Sequence, residues 1–504
     1  MKKLIKRHQT ERVRDLKLAD LLEKIPYTLV QGSVEIEITG LAYDSRKVKQ
    51  GGVFVCISGS LKDAHEFISD VAERGAAVVI VEKEVKAPAE LAVVRVENTR
   101  YALACMAAAY FGYPAEKLTT IGITGTKGKT TTTYMMKSIL ESDGRRVGLI
   151  GTIEIIIGEK HIHSSHTTPE SYELQEYFSQ MVEAGLDTVV MEVSSQGLML
   201  NRVSGVTFDY GIFTNLEPDH IGEYEHKDFA DYMYCKSLLF RQCKVGIFNA
   251  DSEHLPDILA GHTCQVETFS CIKQADLWAK DITLFQEGGI LGMEYRVSGL
   301  IDAKVRINIP GEFSVYNSLA AITLCNHFSI SVEKMKEALL HVFVKGRIEM
   351  IPVSPDYTMM IDYAHNAMSL ESLLSTLREY QPKRLICLFG CGGNRAKSRR
   401  YEMGEVSSRM ADLTVVTSDN PRFEEPMDII ADIIVGIKKA DGAYVTIPDR
   451  KEAIAYCIQN AKPGDVVVLA GKGHENYQEI RGVKHPMDER ELIAEILAES
   501  GKGE

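Results

Sequence analysis

The sequence predicts an α/β protein of three domains, because of its length and two changes of pattern along the chain. A chain of 504 residues is longer than one hydrophobic core normally serves. After about residue 116, short β-branched runs alternate with helical stretches, which favours a mostly parallel sheet covered by helices on both faces. The alternation is interrupted between about residues 275 and 310, where the pattern is typical of antiparallel strands, and it resumes after Arg347.

These changes predict a smaller N-terminal α/β domain at residues 1–116, a central domain with a parallel sheet at 117–346 and a C-terminal Rossmann-like domain at 347–504. A glycine-rich turn and a helix reaching about Ser142 should follow the first central strand. The strands are expected at about residues 52–57, 77–81, 118–124, 187–193, 210–214, 244–249, 358–362, 384–389, 413–417 and 465–469.

Composition argues against several classes of function. A formal net charge of -13 disfavours sequence-independent binding to nucleic acid. The ten cysteines are scattered without a C-x-x-C pair, which indicates reduced thiols rather than a zinc site. Residues 1–8 are charged and lead into no apolar signal region, and no stretch reaches the roughly 18 apolar residues of a membrane helix. We therefore expect a cytoplasmic protein with small-molecule partners and no membrane association.

The most specific motif is Thr124-Gly-Thr-Lys-Gly-Lys-Thr-Thr131, which follows a predicted strand and opens a predicted helix. In this position a glycine-rich loop turns its N–H groups toward phosphate. Lys129 would contact the β- and γ-phosphates, and the Thr130 hydroxyl would bind Mg²⁺. The loop has the short G-x2-G-K-T form, since Ile123 stands where the longer motif has its first glycine. A chance helix N-terminus is the alternative, which the flanking elements disfavour.

Other polar residues of the central domain also follow predicted strands. Glu192 ends one strand, where a carboxylate beside a phosphate loop can hold a metal ion. His220 lies in a loop after another strand, and Lys236 lies in a helical stretch. Taken alone, Glu192 could be a capping or solvated residue, His220 a structural loop histidine and Lys236 a surface lysine.

Four polar motifs follow strands of the C-terminal domain, where open parallel sheets bind their ligands. An arginine in such a loop suits a substrate carboxylate, which it can hold with two hydrogen bonds. Simple tight turns are the alternative for the glycine-rich members. The motifs are Asp362-Tyr-Ala-His365, Gly390-Cys-Gly-Gly-Asn-Arg395, Asp419-Asn-Pro-Arg422 and Gly471-Lys-Gly-His-Glu475.

Together these motifs resemble the Mur ligase family over essentially the whole chain. The segments TGTKGKTTT, MEVSSQGL, FTNLEPDH, GEFSVYNSLAA, GRIE and DYAHN occur in the family's order, although Lys127 stands where the family usually has asparagine. The closest resemblance is to the members that add the third amino acid of the peptidoglycan stem. The Asp-Asn-Pro-Arg motif is similar to that of the meso-diaminopimelate-adding members rather than the lysine-adding ones.

The resemblance implies ATP and Mg²⁺ as cofactors. Lys236 would be N-carbamylated and would bind the metal with Thr130, Glu192 and His220. Lys129, Glu192, His220 and Lys236 would then be the catalytic residues. The residues implied at the nucleotide are Gly125, Thr126, Lys127, Gly128, Lys129, Thr130, Thr131, Asn317, Arg347 and Asp362.

The resemblance also implies two substrates, a UDP-N-acetylmuramoyl dipeptide and a diamino acid, joined by a protein that works as a monomer. The dipeptide carboxylate would be activated as an acyl phosphate, and the amine would then attack it. The dipeptide contacts would be Ser45, Thr167, Thr168, Ser194 and Arg202, and the amino-acid contacts Arg395, Asp419, Asn420, Pro421, Arg422, Gly471 and Glu475.

Three alternatives remain open from the sequence. The third amino acid could be L-lysine or another diamino acid. The chain could be another ligase of the superfamily, of the folylpolyglutamate or cyanophycin type, although these lack the Asp-Asn-Pro-Arg motif. A nucleotide switch that binds partners is a different class, but the chain has no N-K-x-D base-reading motif.

Overall fold

A computed structural model describes residues 16–59, 62–222, 225–499 and 501. The chain forms two compact units, Met1–Phe269 and Ser270–Glu504. The charged start at residues 1–8 lies outside the described residues. No helix within the described ranges is long and apolar enough to cross a membrane. The three boundaries expected from the sequence stay a prediction.

The first unit begins with a five-stranded sheet. Its middle strands are rich in valine and isoleucine because parallel strands covered on both faces are fully buried. The elements are β1 (Thr28–Gln31), β2 (Leu41–Ala42), β3 (Val53–Val55), β4 (Val78–Val81), β5 (Ala92–Arg95), α1 (Leu18–Leu22), α2 (Ile68–Glu73) and α3 (Thr99–Tyr110). The strand order is β1-β5-β4-β3-β2, with β1 antiparallel and the others parallel.

The second sheet of this unit carries the phosphate-loop motif. Its elements are β6 (Thr119–Thr124), β7 (Val147–Ile150), β8 (Glu154–Ile157), β9 (Lys160–His163), β10 (Thr188–Glu192), β11 (Phe208–Phe213), β12 (Cys243–Asn249), β13 (Gln265–Ser270), α4 (Lys129–Ser142), α5 (Ser171–Glu183), α6 (Ser195–Met199), α7 (Phe229–Ser237) and α8 (Leu255–Ile258). The order is β13-β12-β11-β6-β10-β7-β8-β9, parallel except for the antiparallel β8 and β9. Polar loops after β6, β10 and β11 therefore share one sheet edge.

The second unit begins with three antiparallel strands followed by two helices. These are β14 (Leu277–Glu287), β15 (Ile290–Gly299), β16 (Ala303–Ile307), α9 (Glu312–Asn326) and α10 (Val332–Leu340). The antiparallel pattern expected between about residues 275 and 310 is thus confirmed.

A six-stranded sheet forms the rest of the second unit. Its elements are β17 (Glu349–Ile351), β18 (Thr358–Asp362), β19 (Leu385–Phe389), β20 (Leu413–Val416), β21 (Tyr444–Thr446), β22 (Val466–Ala470), α11 (Ala367–Glu379), α12 (Lys397–Met410), α13 (Pro426–Ala440), α14 (Arg450–Asn460) and α15 (Glu489–Glu499), with a separate hairpin β23 (Tyr477–Ile480) and β24 (Val483–Pro486). The order is β17-β18-β22-β19-β20-β21, and only β17 is antiparallel.

The predicted α/β class is confirmed, and each strand expected from the sequence is present with ends shifted by at most a few residues. Several strands were missed: β1, β2, β5, β7, β8, β9, β13, β17, β21 and the β23–β24 hairpin. Most of these are three or four residues long, too short to show a clear hydrophobic period.

Candidate active site

The phosphate loop depends on two glycines. Gly125 has φ 153° and Gly128 has φ 84°, conformations that side chains rarely adopt. A Cβ at Gly125 would also overlap the Thr214 hydroxyl from the end of β11. Thr131 lies partly buried in the first turn of α4. The loop therefore turns sharply against its neighbouring strand, where backbone N–H groups can face a phosphate.

The turn after β11 holds the phosphate loop in place. The Thr126 N–H donates to the Asn215 carbonyl at 3.0 Å, and the Lys127 N–H donates to the Asn215 Oδ1 at 2.8 Å. The Lys127 ammonium lies 2.7 Å from Glu217 Oε2. Lys127 is thus an exposed residue with its charge paired on the same turn.

The side-chain nitrogens of two lysines converge on one carbonyl oxygen. Lys129 Nζ and Lys236 Nζ each donate to the Gly125 carbonyl at 2.8 Å. Lys236 is 1% exposed, which excludes the alternative of a surface lysine. Burial, followed by the nearby Lys129 charge, lowers the pKa of Lys236 well below its usual value. The position therefore favours a neutral amine at Lys236.

Glu192 lies beside the start of α4. Its Oε1 accepts a hydrogen bond from the Thr130 hydroxyl at 2.9 Å and from the Thr152 N–H at 2.8 Å, and its Oε2 accepts from the Thr152 hydroxyl at 3.1 Å. The residue is 1% exposed, so the alternative of a solvated carboxylate is wrong. The structure brings Thr130 and Glu192 together, as the metal-site prediction requires.

His220 lies on the loop after β11, with a φ of 53°. Its Nδ1 is 3.0 Å from Glu225 Oε1, and its ring centroid is 6.2 Å from that of Tyr232. About half of the side chain is exposed, at 51%. Its role as a metal ligand stays a prediction.

Four residues expected at the dipeptide form one cluster next to Glu192. Thr168 Oγ1 accepts from the Ser194 N–H at 2.9 Å, and the Thr168 carbonyl accepts from Arg202 Nη1 at 3.0 Å. The Thr167 and Thr152 hydroxyls lie 3.0 Å apart. Arg202 Nη2 is also paired with Glu170 Oε1 at 2.7 Å, so the guanidinium is held within this cluster of hydroxyl groups.

Ser45 belongs to another element, the short 3-10 helix Ser45–Lys47. A cavity of about 560 Å³ opens beside this helix, with Tyr43, Lys47 and Glu173 in its lining. The Tyr43 hydroxyl donates to the Glu173 carboxylate at 2.9 Å. Aromatic and charged groups thus surround a space large enough for part of a nucleotide.

The nucleotide residues expected in the second unit are mostly buried. Asp362 Oδ1 and Oδ2 accept from the N–H groups of Ala364 and Ile348, each at 2.8 Å. Burial raises the pKa of Asp362, although Arg347 opposes the shift. Asn317 is 3% exposed, and its Nδ2 has no hydrogen-bond partner among the described residues. An amide donor left unsatisfied in this way suits an oxygen of a bound ligand.

The Asp-Asn-Pro-Arg turn is joined to the loop after β22. Asn420 Nδ2 donates to Glu475 Oε2 at 2.9 Å, and the fully buried Lys472 ammonium donates to the same oxygen at 2.9 Å and to Asn420 Oδ1 at 2.8 Å. Asp419 Oδ1 lies 3.8 Å from the Lys472 ammonium, and Gly471 supplies a φ of 105° at the strand end. Lys472 thus fixes the position of the Glu475 carboxylate.

Arg422 is the last residue of the same turn. It has a φ of 53° and follows the buried Pro421. Its Nη1 donates to the Gly393 carbonyl at 2.7 Å and its Nε to Glu479 Oε2 at 3.1 Å. Arg395 follows the same glycine loop and is exposed. The two arginines are therefore on adjoining loops, but only Arg422 is held.

Sequence reasoning missed three residues that the structure places in these networks. Lys472 lies inside the quoted motif that ends at Glu475, and its position between two glycines was the available signal. Thr152 and Tyr232 carry no local signal. Thr152 reaches Glu192 from the turn after β7, and the Tyr232 hydroxyl lies 3.1 Å from Thr126 Oγ1.

Comparison with known proteins identifies the family. Three family profiles match in order: "Mur ligase family, catalytic domain" at residues 37–111, "Mur ligase middle domain" at 123–325 and "Mur ligase, glutamate ligase domain" at 346–473. The chain belongs to the Mur ligase family. It is accordingly an ATP-dependent ligase, and this membership decides against the nucleotide-switch alternative.

Similar relatives within the Mur ligase family carry one kind of name. A UDP-N-acetylmuramoyl-L-alanyl-D-glutamate–2,6-diaminopimelate ligase from Clostridium acetobutylicum is 45% identical over 96% of this chain and 100% of its own length. An enzyme of the same name from Caldanaerobacter subterraneus subsp. tengcongensis is 43% identical over 97% of this chain and 100% of its own.

Solved structures agree on the fold. A 2,6-diaminopimelate ligase of the same kind matches with a TM-score of 0.73 and 26% identity, over 97% of this chain and 100% of that one. MurF from Acinetobacter baumannii matches with a TM-score of 0.59 and 19% identity, over 96% of this chain and 99% of that one. The second likeness concerns the fold alone.

We predict that Gly125→Ala weakens ATP binding about tenfold or more, because the new Cβ would displace the loop from Thr214 and add backbone strain. Isothermal titration with ATP measures this. Gly144→Ala is the matched control, since Gly144 at the far end of α4 also has a positive φ, 87°, but open space around its Cβ position. Equal ATP affinity in Gly125→Ala and wild type would contradict the packing argument.

Proposed function

We propose that this ligase adds meso-diaminopimelate to UDP-N-acetylmuramoyl-L-alanyl-D-glutamate, as a cytoplasmic monomer that uses ATP and Mg²⁺. The observation that carries the proposal is the turn at residues 419–422, which bears Arg422 and binds the Glu475 carboxylate through Asn420. Four relatives at 40–45% identity, over at least 95% of this chain, are named as ligases for 2,6-diaminopimelate.

The residues around Glu192 fit a divalent cation. The Glu192 carboxylate is buried, and the groups that hydrogen-bond to it are the neutral Thr130 and Thr152. A buried carboxylate without a cationic partner is costly, and Mg²⁺ bound by Thr130 and Glu192 would remove that cost. Bound there, the ion would neutralise negative charge on the transferring phosphoryl group.

The reaction has two steps. The terminal carboxylate of the dipeptide attacks the γ-phosphorus of ATP, ADP leaves, and an acyl phosphate forms. The amine of the diamino acid then attacks the acyl carbon, phosphate leaves with its electron pair, and an amide remains. Lys129 and the loop N–H groups stabilise charge in the first step, and Glu475 and Arg422 orient the amino acid for the second.

Lys236 is suited to carbamylation. An amine must be unprotonated to add CO₂, and burial, which lowers the pKa of Lys236, favours that form. Addition of CO₂ to the neutral amine releases one proton and leaves an anionic carbamate. This anion would lie close to the Lys129 ammonium, because both side chains contact the Gly125 carbonyl.

We predict that Lys236→Ala lowers kcat about 100-fold or more, through loss of the charged group next to the phosphate loop. High bicarbonate should not restore the activity, whereas formate or acetate should restore part of it by supplying a carboxylate. Release of phosphate measures both effects. Lys244→Ala is the control, since Lys244 is exposed and pairs with Asp209. Full activity of Lys236→Ala without added acid would exclude the carbamate.

Selectivity between diaminopimelate and lysine depends on a second carboxylate. Both substrates present an α-amine, an α-carboxylate and a second ammonium at the far end, but only diaminopimelate carries a second carboxylate there. Glu475 offers an anion for the far ammonium of either substrate, and Arg422 offers a guanidinium, which presents hydrogen-bond donors in a fork that matches a carboxylate. Arg422 therefore favours the diacid.

We predict that Arg422→Ala raises the KM for meso-diaminopimelate between about 10- and 100-fold, the cost of losing a hydrogen bond to a charged group. Glu475→Ala should act in the same direction, because it removes the partner of the far ammonium. The KM for ATP should change less than about twofold, as neither residue would contact the nucleotide. Initial-rate kinetics with each substrate varied in turn measures this, and equal losses for both substrates would mean that the pocket lies elsewhere.

The whole proposal is tested by incubating the purified protein with the UDP-linked dipeptide, ATP, Mg²⁺ and a panel of amino acids. Mass spectrometry of the UDP-linked product identifies the residue added. We expect meso-diaminopimelate, with ADP and phosphate released in equal amounts. Addition of lysine alone would assign the protein to the lysine-adding members, and no addition to the UDP-linked dipeptide would overturn the proposed function.

A further inference from the structure

The two loops that carry Arg395 and Arg422 are tied together by a neighbouring carboxylate. Glu424 Oε1 accepts hydrogen bonds from the Asn394 N–H and from Arg400 Nη2, the latter at 2.7 Å. Glu424 Oε2 accepts from Arg400 Nη1 at 2.8 Å. The Glu424 carboxylate thus contacts the backbone of the glycine loop directly, and Arg400 holds that carboxylate with two hydrogen bonds.

The Arg400 side chain is itself held in place by further hydrogen bonds. It is 1% exposed, its Nη1 also donates to Asp432 Oδ2 at 2.9 Å, and its Nη2 lies 3.5 Å from the Gly392 carbonyl. Removing a partner from such a buried cation is costly, so the group is held in one place.

The helices that carry Arg400 and Asp432 are packed backbone against backbone. A Cβ at Gly404 of α12 would overlap the Ile433 carbonyl of α13, and one at Gly436 of α13 would overlap the Tyr401 carbonyl of α12. The two helices therefore cannot slide without collision, and Arg400 cannot follow a shift of Glu424.

Further hydrogen bonds connect the loops around Glu424 to the Arg422 side chain. Asn394 Oδ1 accepts from the Phe423 N–H at 3.2 Å, and the Gly393 N–H donates to the Asn420 carbonyl at 2.9 Å. The Gly393 carbonyl in turn accepts from Arg422 Nη1 at 2.7 Å. Asn394 and Arg422 have φ of 54° and 53°, so both loops hold strained residues that these contacts maintain.

We propose that Arg400 and Glu424 form a clamp that positions the Arg422 guanidinium and so sets the preference for an amino acid with a distal carboxylate. The inference rests on the proposed function. Both are positioning residues, since neither would contact the substrate. Arg400 also holds Glu424 ionised, because its hydrogen bonds lower the pKa of Glu424 to about 2.

The clamp is tested with Glu424→Gln, which keeps the side-chain shape and removes the charge, and with Arg400→Lys, which removes the two-fold contact. We expect each to raise the KM for meso-diaminopimelate about tenfold or more, as for a lost charged hydrogen bond. The rate with lysine relative to that with diaminopimelate should rise, while the KM for ATP and for the UDP-linked dipeptide should stay within about twofold.

Two matched controls make the same chemical changes nearby. Glu425→Gln alters the next carboxylate, which is 72% exposed and 3.6 Å from Arg481. Arg409→Lys alters an arginine of the same helix that is 52% exposed and pairs with Glu371 at 3.7 Å. Both should keep wild-type kinetics, and thermal unfolding of all four variants shows which are folded.

The outcomes separate the clamp from the function it rests on. A wild-type protein that adds no diaminopimelate overturns the proposed function. A wild-type protein that adds it, together with a folded Glu424→Gln of unchanged KM and selectivity, overturns the clamp alone. Equal losses for all three substrates would show a merely structural contact and would also overturn it. If Arg400→Lys does not fold, Glu424→Gln decides.

Discussion

Buried charge is the constraint on which both candidate sites depend. Lys236, Glu192, Lys472 and Arg400 are each at most 1% exposed, and an ionised group is removed from water only where partners or a lost proton offset the cost. The four residues offset this cost in three ways. Lys472 and Arg400 are surrounded by carboxylates and carbonyls, whereas Glu192 meets neutral donors and Lys236 has a lowered pKa. The two residues without an opposite charge are those beside the phosphate loop.

The difference between the two units follows from this constraint. In the second unit the charges satisfy one another, so the loops around Asn420 and Arg422 are held by internal contacts. In the first unit, the Gly125 carbonyl accepts from the side-chain nitrogens of two lysines, and the hydrogen-bond donors to Glu192 are neutral. Such an arrangement is suited to ligands that bring charge with them, as a nucleotide phosphate and a metal ion do.

Some of the backbone strain lies at the same places. Among the described residues, His220, Ile348, Asn394 and Arg422 are four of the eleven non-glycine residues with positive φ. Each lies in or beside a motif expected to bind a ligand. Strain of this kind persists only where the surrounding structure determines the conformation, which gives these side chains fixed directions.

Much of the fold and the location of the loops could be predicted from the sequence, because both depend on local patterns. Buried parallel strands have continuous β-branched runs, and the glycine-rich loop between strand and helix is recognisable from its spacing. The family resemblance then supplied an expected role for residues such as Lys236, whose neighbouring sequence alone is typical of a surface lysine.

Contacts between distant segments were decided only by the tertiary structure. Thr152 reaches Glu192 across 40 residues, Lys472 reaches Asn420 across 52, and Arg400 meets Glu424 from another helix. Short strands such as β8 and β9 were missed for a related reason, since their stability comes from pairing rather than from their own residues. The sequence by itself determined which elements form and which loops carry polar groups. Which buried charges meet depends on how those loops pack, and no local pattern encodes that.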